Sequence, residues 1–324
     1  MAAESCELPP VRLSNGVEMP LVGLGTSLST KEEFARLPAA LRAALAAGCR
    51  LVDTAPVYGT EAAVGEALEA AGARRSVFLV SKLPAHAMRP AAAERAFERT
   101  LRDLRTDFVD LLLVHSPMAV EPNAAADGPA LDAAGRPLPA AVDLVAAWRV
   151  LEALYRAGRV RAIGLSNVNE RQLRAVWERA EVKPHVLQIE LHVHLQQERM
   201  VALCRRLDVA VMAYGALCSP GRSVGKPGVP QVAGLQHAAV LRTAAELERS
   251  PAQVVLRLLA ERGIAAVPKS VTPERVRENL RLFDFRLRPE QLERLAAVEQ
   301  RARLFPYAKM RHHPEYPFHE DEDE

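Results

Sequence analysis

The sequence predicts an α/β fold, a (β/α)8 TIM barrel with an N-terminal β-hairpin and long loops on the C-terminal face of its strands. Three observations predict it. Short apolar runs begin near residues 21, 50, 77, 109, 160, 187, 209 and 264. Several of them, such as Leu111-Leu112-Leu113-Val114, are nearly unbroken, as parallel strands covered on both faces should be. Between the runs lie helical patterns, and strands alternating with helices specify a parallel sheet wrapped by helices. The length of 324 residues suits one domain spanning 1–324, because a barrel takes roughly 250 residues plus insertions.

In chain order, residues 9–20 read as the hairpin, with Asn15-Gly16 supplying the two positive-φ residues of a type I′ turn. Leu51-Val52-Asp53 is a strand, and the helix from Glu61 to Ala71 ends at Gly72. Val77 to Lys82 and Val109 to His115 are two further strands. Leu144, Trp148, Leu151 and Tyr155 repeat at helical spacing, with Gly158 as the C-terminal stop. Segments 116–140 and 215–237 are rich in Pro, Gly and Ala and lack periodicity. Both follow strands, so both belong to the barrel face where binding loops gather. Residues 304–324 form a third irregular segment, with Pro306, Pro314 and Pro317 and a solvated Glu-Asp-Glu-Asp-Glu tip.

Composition excludes several classes. Lys and Arg number 42 against 40 Asp and Glu, a balance that argues against a nucleic-acid or membrane surface. The four cysteines include no C-x-x-C pair and read as reduced thiols. There is no signal-peptide pattern and no apolar stretch of about 18 residues, so a cytoplasmic location is expected.

Titratable side chains mark the strand ends. Asp53, Lys82 and His115 end three successive strands, and Tyr58 follows Asp53 by one short loop. In a barrel all strand C-termini open on one mouth, so a carboxylate, a phenol, an amine and an imidazole converge there. Such a set can deliver a proton to a carbonyl oxygen near neutral pH. His192 and His194 alternate, but no third ligand accompanies them, so no metal is expected. His312-His313 is equally weak.

Four motifs together resemble the aldo-keto reductases: Asp53-Thr54-Ala55-x-x-Tyr58, Leu113-Val114-His115-x-Pro117, Gly164-Leu165-Ser166-Asn167, and Pro268-Lys269-Ser270-x-x-x-x-Arg275. The likeness runs from the hairpin to Tyr316-Pro317-Phe318, nearest the family of aldose, aldehyde and hydroxysteroid reductases. It implies a monomeric, metal-free reductase of small carbonyl compounds that uses NADPH/NADP+. It makes Tyr58 the general acid. Free tyrosine titrates near 10, and a cationic Lys82, held by Asp53, is expected to lower that value. His115 would orient the substrate oxygen. Steroid double-bond reductases of the family carry Glu there, so His favours carbonyl reduction.

No G-x-G-x-x-G opens a helix, so a Rossmann site is not indicated. Lys269, Ser270, Val271, Thr272 and Arg275 instead lie before and within a helix beginning near Pro273. A helix N-terminus with two cations and hydroxyl donors suits the 2′-phosphate of NADPH. The resemblance further implies Glu278 and Asn279 at the adenine, and Ser166, Asn167 and Gln188 at the carboxamide. It puts Tyr214 against the nicotinamide ring, and Gly25, Thr26, Asp53, Leu217, Ser219 and Arg222 along the coenzyme. Ser27 and Ser116 join Tyr58 and His115 at the substrate.

Some positions depart from the family pattern. Ser27, Pro84 and Ser116 stand where aromatics are common, which predicts a wider pocket. Thr60 replaces an Asn. Gly221 replaces an acidic residue that clasps the coenzyme, which leaves a looser clasp or one made by Arg222. Two other functions fit the same chain: a non-catalytic protein on this fold, crystallin-like or a channel accessory, or a hydroxysteroid or alcohol dehydrogenase working in oxidation. NADPH consumption with a reactive aldehyde separates the first of these from a reductase.

Overall fold

Residues 11–19 double back where Gly16 adopts φ 84°, a left-handed conformation open to glycine. The computed structural model describes residues 9–125, 127–219 and 229–319. Its strands β1 (Val11–Arg12) and β2 (Glu18–Met19) pair antiparallel, with Val11 opposite Met19. The turn is not type I′, because Asn15 does not share the positive φ of Gly16. Gly16 N–H donates to Leu13 O at 2.8 Å, and the Asn15 amide donates to Arg161 O at 2.9 Å. Asn15 Oδ1 also accepts Val17 N–H at 3.2 Å, so the one amide side chain ties the turn both to itself and to the barrel.

The eight apolar runs correspond to eight parallel strands. These are β3 (Leu24–Gly25), β4 (Leu51–Asp53), β5 (Phe78–Leu83), β6 (Val109–Val114), β7 (Val160–Ser166), β8 (Val186–Glu190), β9 (Ala210–Tyr214) and β10 (Ala265–Ala266). Neighbours in the sheet follow chain order. Gly23 N–H donates to Ala266 O at 3.0 Å, and Ala266 N–H donates to Leu21 O at 2.9 Å. These bonds join the first barrel strand to the last, so the sheet closes and has no edge.

Ten helices surround it among the described residues: α1 (Lys31–Ala46), α2 (Glu61–Ala70), α3 (Pro90–Asp103), α4 (Leu144–Arg156), α5 (Glu170–Arg179), α6 (Glu198–Arg206), α7 (Ala238–Leu247), α8 (Pro251–Glu261), α9 (Pro273–Leu280) and α10 (Pro289–Ala296). Their starts are chemically marked. Asn169 with Gln172, and Ser250 with Gln253, form capping boxes for α5 and α8. Two of the ten, α7 and α10, exceed the eight-unit pattern and cover a separate apolar cluster with α8. None is long and apolar enough to cross a membrane.

Apolar side chains fill two layers. Inside the barrel, Leu51, Phe78, Val80, Leu111, Leu113, Ala162 and Val186 pack together, and Leu13 and Met19 of the hairpin join them. The hairpin therefore seals the base, and chemistry is confined to the opposite mouth. A larger cluster lies between strands and helices. At Gly164 an added Cβ would lie 2.2 Å from Val186 O. Gly164→Ala should therefore destabilise the protein by about 3 kcal/mol, the upper range for overpacking a core, measured by urea unfolding. A change within about 0.5 kcal/mol would mean that β7 and β8 part freely.

Segment 116–140 is more ordered than its composition suggests. Val120 faces Pro139, Pro122 faces Pro129, and Leu131 faces Pro137 in antiparallel pairing. Each pair includes a proline, which brings no N–H, so the bonds run from Glu121, Ala130 and Leu138 instead. The C-terminal segment folds over this excursion. His313 Nε2 donates to Ala119 O at 2.7 Å, and Met118, Val120, Met310, Tyr316 and Phe318 share one cluster. Gly221, Arg222 and the acidic tip lie outside the described residues.

Candidate active site

Local sequence lifts Tyr58 over the mouth. Pro56, separated from the end of β4 by two residues, starts a single 3-10 turn, and Gly59, at φ 66°, stops it. Lys82 lies on β5, whose six residues are all buried. Its ammonium donates to Asp53 Oδ1 at 2.8 Å, to Asp53 Oδ2 at 2.7 Å and to Thr54 O at 3.0 Å. The same nitrogen lies 4.8 Å from the Tyr58 ring centroid. The Tyr58 and His115 rings meet edge to face, with centroids 5.6 Å apart. Asp53, Tyr58, Lys82 and His115, scattered over 63 positions, thus form one cluster.

Burial sets the protonation states. It pulls the Lys82 ammonium down from its ordinary range, against an opposing pull from Asp53. His115 falls to about 3, through burial and then through the charge of Lys82, so its ring is neutral at physiological pH. The Tyr58 phenol moves opposite to expectation. Burial raises it well above 10, and Asp53 and Tyr307 push the same way. Burial and the Asp53 carboxylate outweigh any help from the Lys82 ammonium. The phenol therefore keeps its proton and remains a donor.

Further polar groups support this cluster. Gln188 Nε2 donates to Asp53 Oδ2 at 2.7 Å. Asn167 Nδ2 donates to His115 O at 2.9 Å and to Ser166 Oγ at 3.0 Å. The Tyr214 hydroxyl donates to Asn167 Oδ1 at 2.6 Å. Behind the strand ends, Thr60 Oγ1 lies 2.9 Å from Thr26 Oγ1 and 3.0 Å from Thr54 Oγ1. Glu61 is buried on the helix side of β5, accepts from Ser81 Oγ at 2.6 Å, and is raised by burial to about 7. Sequence reasoning reaches Thr26, Thr54 and Thr60 one by one but not as one chain, and no motif marks Glu61.

The second part of the site surrounds the start of α9. Gly25 ends β3, where an added Cβ would lie 2.6 Å from Val267 O. Its bare backbone lets β3 approach residues 267–269. Thr272 precedes α9 but makes no side-chain cap, so it leaves the first N–H groups of the helix uncapped by its hydroxyl. Arg275 is exposed and forms no ion pair among the described residues. Ser270 Oγ accepts from Thr272 N–H at 3.2 Å. An ammonium, a guanidinium, two hydroxyls and a helix N-terminus form a donor set that fits a phosphomonoester dianion.

Two residues at this end escaped sequence reasoning. Lys269 Nζ lies 2.5 Å from Glu33 Oε1, and Arg36 Nη2 donates to Thr272 Oγ1 at 3.1 Å. Both belong to α1. Barrel closure sets β3 beside β10, which brings their following helices α1 and α9 together. The predicted barrel order was the only available signal.

Other expected residues are placed less centrally. Ser27 is exposed at the rim. Ser116 is buried, and its hydroxyl accepts Met118 N–H at 3.2 Å, so it shapes a turn. Val271 packs its side chain into the outer core. Leu217 packs partly against the same core, and Ser219 is half-buried at φ 39°. Thr26 and Asn279 are buried, and Glu278 is half-buried. His192 lies 3.0 Å from Glu190 Oε1, and His194 accepts Gly234 N–H at 3.1 Å, so both are tied into the protein's own contacts.

Comparison with known proteins shows the family and the fold. Residues 21–300 match the model of the Aldo/keto reductase family. Aldo-keto reductase family 1 member A1 of Bos taurus is 38% identical, over 98% of this chain and 99% of that protein. The Homo sapiens protein of that name is 36% identical over the same shares. The solved aldose reductase of Schistosoma japonicum superimposes with a TM-score of 0.86 at 36% identity, covering 97% of this chain and 99% of that one.

Proposed function

Since the chain belongs to the aldo/keto reductase family, and so to the oxidoreductases of carbonyl compounds, we propose that it reduces aldehydes and ketones to alcohols with NADPH. The observation that carries the proposal is the buried Asp53–Lys82 pair beneath Tyr58, with His115 against the same ring. Lys269, Ser270, Thr272 and Arg275 would hold the 2′-phosphate, and Ser166, Asn167, Gln188 and Tyr214 would flank the nicotinamide. The bound coenzyme supplies the hydride. Negative charge then grows on the substrate oxygen, and Tyr58 donates its proton to that oxygen. A neutral His115 holds the same oxygen by a hydrogen bond, because an imidazole driven to about 3 carries no charge to give up. Asp53 holds Lys82 beneath Tyr58, and the Lys82 ammonium, 4.8 Å from the ring centroid, is the cation that faces the phenolate left behind. The proposal includes a monomer in the cytoplasm, and sedimentation tests the monomer.

Loss of NADPH absorbance on addition of a reactive aldehyde tests the reading directly. No turnover across a panel of aldehydes and ketones would leave a binding or structural protein on this fold.

The exposed Ser27 at the rim, with Val57 beside Tyr58 exposed by 57%, favours bulky apolar carbonyls. They gain about 25 cal/mol for each Å² buried. Ser27→Trp should shift the kcat/KM ratio by about tenfold, equal to roughly 1.4 kcal/mol, toward a small aldehyde over a cyclic ketone. An unchanged ratio would remove residue 27 from the pocket. The buried Ser116 is a poorer probe, because a Trp there would first disturb Met118.

A further inference from the structure

We propose that Glu33 and Arg36 of α1 set how strongly this chain prefers a coenzyme bearing a 2′-phosphate. Glu33 competes with that phosphate for Lys269, and Arg36 adds a third cation. The inference rests on the NADPH reading above and goes beyond it to a specificity control outside the Lys269–Arg275 segment. Lys269 is already engaged, with its ammonium 2.5 Å from Glu33 Oε1. The other Glu33 oxygen accepts Ser29 N–H at 2.8 Å, so the carboxylate is held in place at the first turn of α1. Burial opposes its charge, but the bonds from Lys269 and Ser29 outweigh that and keep its carboxyl below the ordinary range. At neutral pH a dianion nearing Lys269 meets a fixed negative charge on the same nitrogen. Arg36 works the other way, donating to Thr272 Oγ1 at 3.1 Å, one residue before α9. Its guanidinium is 45% exposed and has Glu32 at 3.6 Å, an open pair of little strength. A 2′-hydroxyl, as in NADH, carries no charge for either residue to act on.

Titration calorimetry with NADPH, NADH, 2′,5′-ADP and 5′-AMP tests this on the full chain. Glu33→Gln keeps the acceptor for Ser29 N–H and removes the charge. It should tighten NADPH and 2′,5′-ADP by about fivefold, the upper range for an exposed ion pair, with NADH and 5′-AMP unmoved. Arg36→Met should weaken NADPH and 2′,5′-ADP by about fivefold, again sparing NADH. If Glu33→Gln weakens NADPH, or shifts both coenzymes alike, Glu33 only orients Lys269 or caps α1, and the inference falls. Glu33→Ala repeats the test should the glutamine variant misfold. Parent protein that binds both coenzymes equally, with no response to Lys269→Met, would defeat the NADPH reading itself. A preference that survives but ignores Glu33 and Arg36 would defeat only this inference.

Discussion

Tyr58→Phe should lower kcat for aldehyde reduction by about 10²–10⁴, the usual size of general acid catalysis, while NADPH binding is retained. The phenylalanine ring keeps the edge-to-face contact with His115 and the place above Lys82, so the change removes one proton and little packing. No neighbour replaces that proton readily. His115 is neutral at physiological pH, and all three Lys82 protons are committed to Asp53 and Thr54. The raised Tyr58 phenol remains protonated through the physiological range, so reduction should not decline near neutrality through loss of the acid. The measurements are single-turnover rates with saturating NADPH, plus calorimetry for coenzyme affinity. Near-normal turnover would move the acid to another group. Lost NADPH binding would show that Tyr58 is structural.

Replacing Lys269 and Arg275 together by Met should weaken NADPH by about 10²-fold and leave NADH nearly untouched. Each charge-assisted bond to phosphate is worth roughly 1.5–3 kcal/mol. Lys269 is 43% exposed and shared with Glu33, so screening trims the combined effect. The difference between the coenzymes should narrow as salt rises, because surface charges are screened within about 10 Å at 0.1 M. Equal loss for both coenzymes would make the cluster a helix-capping device and nothing more.

The sequence by itself determined the strands, their order and the residues at their ends. Leu111 to Val114 and Leu51 to Asp53 carry local signals, apolar runs closed by a polar residue. A barrel sends all such ends to one mouth, so Asp53, Lys82 and His115 could be grouped before any distance was known. Lys269 and Arg275 were legible for the same reason, because they sit a few residues apart beside a helix start.

Tertiary structure alone decided what depends on distant partners. Glu33 and Lys269 lie 236 positions apart, and only closure of β3 on β10 brings α1 against α9. Asn15 keeps a local bond from Val17 N–H and also reaches Arg161, 146 positions away. The prolines of 116–140 hide a paired excursion, because pairing is a relation between segments and leaves no period in either one. The Tyr58 phenol rises because desolvation sums over every neighbour and the Asp53 carboxylate adds to it, outweighing the Lys82 ammonium. Periodicity and spacing are properties of short stretches, whereas proton affinity and ion-pair competition belong to the assembled volume.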